Sequence, residues 1–369
     1  VRLCRHCLSA IGEGELSEEC EACCNVFNRI NEFAEKIVQK LSEYEFRTFN
    51  IGSREWGSAK ALHELMERKG VEYDLKKEFN ERLGRKISEL SGKVRSLNPE
   101  INVIFDLETF DFELQIGSVY IYGRYIKRVR NISQTRWICG FCGGKGCEMC
   151  NFTGKKYGTS VEEIISTPAT RIFEAKDAKL HGAGREDVDA RMLGRGRPFV
   201  LELIEPRKRF VELSKVEKAI NEYAGGKVKV FGLEYADSKR VREVKMERHR
   251  KKYRAKVVFE DDIDTENLLN AIEGLRGVEI RQRTPKRVAH RRADKVRVRK
   301  VYDIKLLFHR EKVAVMEIEA DAGLYIKELV SGDEGRTRPS LSSVTGINCK
   351  VEKLDVIDVF DSYSTSTSE

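Results

Sequence analysis

No stretch of this 369-residue chain approaches the roughly 18 consecutive apolar residues of a membrane-spanning helix. The opening residues, VRLCRHCLSA, lack the apolar core of a secretory signal. Also missing are the Gly-rich phosphate loop and the dinucleotide fingerprint that mark nucleotide-dependent enzymes. These absences argue against a helical membrane protein and against nucleotide chemistry, and they lead us to expect a cytoplasmic location and no catalytic cofactor.

The length allows two or three domains with cores that need no covalent help. Lys and Arg number 68 against 60 Asp and Glu, a formal charge of +8, which favours a polyanionic partner without naming one. Of the ten cysteines, eight fall in four C-x2-C pairs. Without a signal peptide, that pattern reads as thiolate metal ligands rather than disulfides.

Cys4, Cys7, Cys20 and Cys23 have the spacing C-x2-C-x12-C-x2-C, in which two tight knuckles can close four sulfurs around one Zn2+. Cys139, Cys142, Cys147 and Cys150 repeat the pairs in CGFCGGKGCEMC, with glycines where the chain must turn sharply. The expectation is one or two structural Zn2+ ions, with a single ion shared between pairs of the two clusters as the alternative. Neither cluster offers a His or carboxylate as a replaceable ligand, so a catalytic zinc is not expected. Cys24 and Cys349 read as small buried residues.

Phe27, Ile30, Ala34, Ile37, Leu41 and Tyr44 form the stripe of an amphipathic helix. Residues 46–130 follow with an α/β pattern: an extended FRTFNIG, a helix near GSAKALHELMERKG, and a second helix with Leu75, Phe79, Leu83, Ile87 and Leu90 on one face. The runs INVIFDLETFDFELQI and SVYIYGRYI then read as a hairpin broken at Gly117 and Ser118. This order of elements resembles a THUMP domain, an RNA-binding module of tRNA-modifying enzymes.

Two basic segments suggest where RNA is gripped. Residues 281–300, RQRTPKRVAHRRADKVRVRK, hold ten Lys or Arg and one acid, Asp294, and read as a flexible phosphate-gripping loop. RHRKKYRAK places Tyr253 among cations ahead of an apolar VVF, the mix expected where an unstacked base meets an aromatic ring.

The segment GREDVDARMLGRGRP, from Gly184 to Pro198, sets four arginines around three acids in what reads as a bend-prone loop. By composition alone, Arg185, Asp187, Asp189 and Arg191 could simply neutralise one another at the surface. GRED, however, has the G-R-x-D form that presents the nucleophilic aspartate in pseudouridine synthases. With AGREDVDARMLGRGRPFVLEL, KKYRAKV, QRTPKRVAHRRADKVR and DAGLYIKELVSGDEGRTRPSLSSVTG in that order, the chain resembles the archaeal and eukaryotic tRNA pseudouridine synthase family acting at positions 54 and 55.

The resemblance implies a mixed α/β (α+β) catalytic domain with a mostly antiparallel sheet, behind an N-terminal zinc-binding and THUMP-like α/β region. The implied division is a zinc-binding segment at 1–45, a THUMP-like domain at 46–130, a Cys-rich connector at 131–158, a catalytic domain at 159–360 and a polar tail at 361–369. Asp187 is implied as the nucleophile, acting on the sugar or on the base, with Arg185 as its ion-pair partner. Tyr253 would stack on the uracil and serve in proton transfer. Tyr325 and Lys327, read as alternating on a strand, would share one face so that Lys327 pairs with Asp187. Leu324 reads as core, and Asp189 as the competing nucleophile or a hydrogen-bonding neighbour. Arg281, Arg283, Arg287, Arg291 and Arg292 are the candidate RNA contacts, the partner is the T-arm of tRNA, and the chain is expected to act as a monomer. The competing readings are a zinc-stabilised tRNA-binding protein whose carboxylates do no chemistry, and a THUMP-bearing thiolation or methylation enzyme. The latter needs a nucleotide or methyl-donor loop that the sequence does not show.

Overall fold

The computed structural model describes residues 1–54, 60, 64, 74–247 and 249–360, and at Arg291 the backbone alone. The helix expected near residues 57–70, apart from Lys60 and Glu64, lies outside the described residues, as do Arg248 of the second basic segment and the polar tail. The chain forms two compact units, one from residues 1–119, 170–177 and 203–211, the other from 120–169, 178–202 and residues from 212 onward.

In the first unit, strands β1 (Arg2–Leu3) and β2 (Glu15–Leu16) pair around helix α1 (Arg5–Ile11) and frame the first cysteine cluster. Helix α2 (Ile30–Leu41) buries Phe33, Ala34, Ile37 and Leu41, while Phe27 belongs to a preceding 3-10 turn, Val26–Arg29. A four-stranded sheet follows in the order β4 (Val94–Arg95), β3 (Thr48–Arg54), β5 (Ile101–Asp106) and β6 (Asp111–Ile116). Helix α3 (Leu75–Ser91), capped by Asp74, contributes Phe79, Leu83 and Ile87 to the same core, where Phe79 and Phe33 meet Phe105 at ring distances of 5.2 and 4.8 Å. The first cysteine cluster is buried within this core, so cluster and sheet share one apolar interior.

The hairpin lies elsewhere than the sequence suggests. β5 and β6 pair antiparallel across a turn at residues 107–110, and Gly117 and Ser118 instead end β6. The next strand, β7 (Val119–Lys127), pairs with β10 (Val228–Ala236) in the large sheet. Alternation marked both runs as strands but carried no information on which partners they choose.

The second unit is built on a ten-stranded sheet, counted among the described residues, in the order β10, β7, β9 (Arg191–Ile204), β16 (Cys349–Val359), β11 (Lys251–Phe259), β14 (Val313–Ala320), β13 (Val296–Arg310), β12 (Glu279–Arg283) and β15 (Thr337–Arg338), with β8 (Asp177–Gly182) on β9. The ladders β10–β7, β16–β11, β11–β14, β14–β13, β13–β12 and β12–β15 are antiparallel, and β16 makes a parallel contact with β9. Helices α4 (Val161–Phe173), α5 (Leu213–Tyr223), α6 (Ser238–Met246), α7 (Thr265–Leu275), α8 (Ile326–Ser331) and α9 (Leu341–Thr345) accompany it.

The stretch from Gly184 to Pro198 is a loop only as far as Ala190; from Arg191 it is strand β9. Its glycines explain why a strand could not be read there. Gly194 and Gly196 have φ of 63° and 72°, and a Cβ on Gly194 would run into the Ile357 carbonyl, while one on Gly196 would lie 2.8 Å from the Tyr125 carbonyl. The bases of the loop are locked by Asp355, which receives Arg191 and Arg130 at 2.6 Å each.

Candidate active site

The loop between β8 and β9 carries Asp187 to a cavity of about 590 Å³ whose lining includes Tyr253, Lys251, Arg287, Tyr325 and Lys327. Arg287 donates to the Asp187 carboxylate at 3.2 Å, and Lys327 Nζ lies 3.5 Å from its other oxygen. Burial pushes the Asp187 carboxyl up, but Arg287 and Lys327 outweigh it and hold it below its ordinary value. The group is therefore a carboxylate at neutral pH, partly open to a substrate.

The arginine that meets Asp187 is thus Arg287, not Arg185. The Arg185 guanidinium lies 4.9 Å from the centre of the Trp137 ring, and Arg185 lines both the cavity and an adjoining cleft with Arg292 and Arg297. Asp189 sits in a turn rather than a strand, and Lys327 binds it at 2.8 Å, bridging the two carboxylates.

Tyr325 and Lys327 do not alternate on a strand. Tyr325 is the N-cap residue of α8, and Lys327 is in its first turn. Both still reach the cavity, because Gln282 of β12 accepts from the Tyr325 N–H at 2.8 Å and donates to its carbonyl at 3.1 Å, fixing the helix start. Leu324 is buried, as expected, and also lines the cavity.

Tyr253 lies on β11, buried, with its register fixed by β14 on one side and β16 on the other. Burial, opposed by Arg197 and reinforced by Asp187, pushes its phenol up to about 12. Its hydroxyl stays protonated throughout the neutral range.

The segment 281–300 is an ordered arm rather than a bare loop: β12, a 3-10 turn at Lys286–Arg291, and β13. Arg287 and Arg292 line the cavity; Arg281 and Arg283 are not among the lining residues described, and the Arg291 side chain lies outside the described residues. Arg283 is instead tied to Asp294 at 2.9 Å.

Sequence reasoning passed over a buried charged cluster behind Asp187. Glu186 is fully enclosed and contacts Arg197 at 2.9 Å, Lys127 at 3.8 Å and the Tyr125 hydroxyl at 2.8 Å. Lys251, also buried, faces the cavity, and burial together with the Arg197 charge brings it down to about 7 against the pull of Glu186. Glu328 was missed as well; it holds Arg287 at 2.6 Å. The signal was phase: Lys251 alternates with Tyr253, Ala255 and Val257, and Lys127 with Tyr125 and Ile121, on the buried faces of their strands.

Each cysteine cluster gathers its own four sulfurs, all within 4.8 Å of one another, so no ion need be shared. The S–S separations of 3.7 and 3.9 Å match the edges of about 3.8 Å that a tetrahedron with Zn–S near 2.3 Å requires. Backbone N–H groups of Cys147 and Gly154 point at the Cys150 sulfur at 3.2 Å, which suits a thiolate. Cys349 is buried, but Cys24 is exposed, at φ 45°, contrary to the expectation of burial.

Residues 120–360 match the family described as Pus10, C-terminal, and residues 33–106 match the Pus10 THUMP domain, archaeal. The chain belongs to the Pus10 family of tRNA pseudouridine synthases. It is 66% identical over 359 residues to the tRNA pseudouridine synthase Pus10 of Archaeoglobus fulgidus, covering 97% of this chain and 100% of that one. To the Pus10 enzyme of Methanopyrus kandleri it is 46% identical over 354 residues, covering 93% and 81%. Among solved structures it is similar to a chain of a Cbf5-Nop10-Gar1 complex at 17% identity, with a TM-score of 0.36, over 64% of this chain and 48% of that one. Membership in the Pus10 family makes the chain an isomerase, and the expected fold, a mostly antiparallel mixed sheet with a THUMP region ahead of it, is borne out. No helix among the described residues is long and apolar enough to cross a membrane.

Proposed function

We propose that the chain converts uridine 55, and also uridine 54, in the T-arm of tRNA to pseudouridine, with Asp187 as the nucleophile. The observation that carries this reading is the Asp187 carboxylate, kept ionised by Arg287 and Lys327 in one cavity with the buried phenol of Tyr253. The target uridine leaves its stack and enters that cavity, because the reacting atoms are out of reach inside a folded RNA arm. Asp187 forms a transient covalent link to the nucleotide, and that bond breaks again before release, returning the free carboxylate. The bond from N1 to C1′ breaks, the base turns, and C5 bonds to C1′; C5 gives up its proton and N1 ends with one, so nothing is oxidised or reduced.

Tyr253 and Tyr325 hold the uracil between aromatic surfaces, and the Tyr253 hydroxyl, protonated at neutral pH, relays the C5 proton. Lys327 compensates Asp187 and Asp189 together. Arg185, Arg292 and Arg297, which share one cleft of about 380 Å³, bind RNA phosphates beside the site. The two cysteine sets each hold one structural Zn2+, which ties its knuckles together and takes no part in the reaction. Residues 1–45 and 46–130 serve as zinc-binding and THUMP-like docking parts, 131–158 as connector and 159–360 as the catalytic domain. The chain works as a cytoplasmic monomer.

The test is to map pseudouridine in an unmodified tRNA transcript after incubation with purified protein. Asp187→Asn abolishes the product while tRNA binding persists, and Asp189→Asn retains activity within about ten-fold. Product yield unchanged in Asp187→Asn overturns the assignment. Metal analysis of the same protein counts two zinc ions, and Cys139→Ser removes one of them.

A further inference from the structure

The second cysteine knuckle carries a surface that the chemistry at Asp187 does not use. Phe141, Met149 and Phe152 are 80%, 70% and 74% exposed, within twelve residues of one another in sequence. Beside them is a cleft of about 580 Å³ whose lining includes Trp137, Phe141, Met149, Lys156 and Tyr157. The Trp137 and Tyr157 rings meet edge-on at 5.7 Å, and Lys156 Nζ lies 5.2 Å from the centre of the indole. A concentration of exposed apolar side chains on one small loop marks a contact surface.

We propose that this face binds an unpaired nucleobase of the substrate RNA, adjacent to the nucleotide that enters the catalytic cavity. The inference rests on the reading of the chain as acting on tRNA. Three observations select RNA as the occupant. The rings stand among cations, the combination that grips a backbone while a base stacks. The indole also faces Arg185, a residue that lines the catalytic cavity, so the two surfaces are continuous. The stem of the knuckle is bonded to the catalytic loop itself: Gln134 donates to the Gly184 carbonyl at 2.9 Å, and Asn131 donates from its backbone to the Val188 carbonyl at 2.9 Å. An RNA strand with its target nucleotide at Asp187 that runs on past Arg185 reaches the knuckle.

The experiment uses the full chain in an Asp187→Asn background and measures affinity for unmodified tRNA at fixed salt. Phe141→Ala combined with Met149→Ala weakens binding about ten-fold, with zinc content equal to the parent's. Phe141→Trp keeps full affinity, whereas Phe141→Leu, apolar without a ring, does not. Photo-crosslinking of 4-thiouridine-substituted tRNA, mapped by mass spectrometry, places adducts within residues 137–157. Parent-like affinity in the double alanine variant overturns the proposal, and if that variant also abolishes self-association of the chain, the face belongs to a protein contact. Continued pseudouridine formation by Asp187→Asn overturns the reading of the nucleophile instead, so the two failures are distinguishable.

Discussion

Arg287 donates from Nη1 to the Asp187 carboxylate at 3.2 Å, while its Nε binds the buried Glu328 at 2.6 Å, across a chain separation of 100 residues from Asp187. One guanidinium fork thereby links the Asp187 loop to α8, with Glu328 fixing its direction. Arg287→Met removes a charge that lowers Asp187 and leaves the effect of burial less opposed. The acid limb of the single-turnover rate profile should then move to higher pH, with the neutral rate down by about 10 to 100-fold. Arg287→Lys should restore little, since an ammonium cannot reach both carboxylates in the same geometry. An acid limb that stays in place would exclude Arg287 as the group holding Asp187 ionised.

Tyr253 is placed to act through its ring and through its hydroxyl, and the two roles separate on substitution. Tyr253→Phe keeps the aromatic ring and removes the hydroxyl of the proposed proton relay. We expect tRNA affinity within two-fold of the parent and pseudouridine formation slowed about 100-fold. Because the phenol stays protonated until about pH 12, no alkaline limb below pH 10 should be lost in this variant. A rate equal to the parent's would reduce Tyr253 to a platform.

Lys251 gives the fold a pH dependence of known sign. Its pKa is about 7 when folded, below the ordinary lysine value of about 10.4. Between those values the unfolded chain holds the proton and the folded chain does not, so the stability contributed by this group rises with pH across that window. Lys251→Met should flatten that rise between about pH 7 and pH 10, read as the difference between the thermal unfolding midpoints of parent and variant. A difference that is constant with pH would mean that Lys251 stays charged in the fold.

Glu186 tests the buried cluster. It and Arg197 are both enclosed, at 2.9 Å, and removing one partner strands the other's charge. Glu186→Ala should cost about 3 to 5 kcal/mol in denaturant unfolding. Arg197→Met, which strands Glu186 beside Lys127, should also destabilise, and the double variant should recover part of the loss.

What was readable in the sequence was what local pattern and spacing encode. The cysteine knuckles, α2, α3, the strand carrying Tyr253 and the position of Asp187 all follow from periodicity, spacing or a short motif. What was not readable depends on residues far apart in the chain. The partners of β7 are β10 and β9, β10 being about a hundred residues later, and nothing in SVYIYGRYI distinguishes those ladders from a hairpin with β6. The resemblance made Arg185 the expected partner of Asp187, yet the fold delivers Arg287 from a separate arm. Strand β9 was hidden by Gly194 and Gly196, which dilute the apolar alternation at the points where neighbouring backbones come closest.

Lys127 is buried and points its ammonium at main-chain oxygens: Ile132 at 2.9 Å, Asp187 at 3.2 Å and Val188 at 3.4 Å. Asp187 is thus gripped from behind by its own peptide carbonyl, while its carboxylate is held from the front by Arg287 and Lys327. When a carboxylate oxygen bonds to carbon, its charge disappears and the frontal ion pairs must slacken. The rear grip is indifferent to that change. In the proposed reaction, Asp187 exchanges partners without its Cα leaving its place, as a tool changes load while the handle stays clamped.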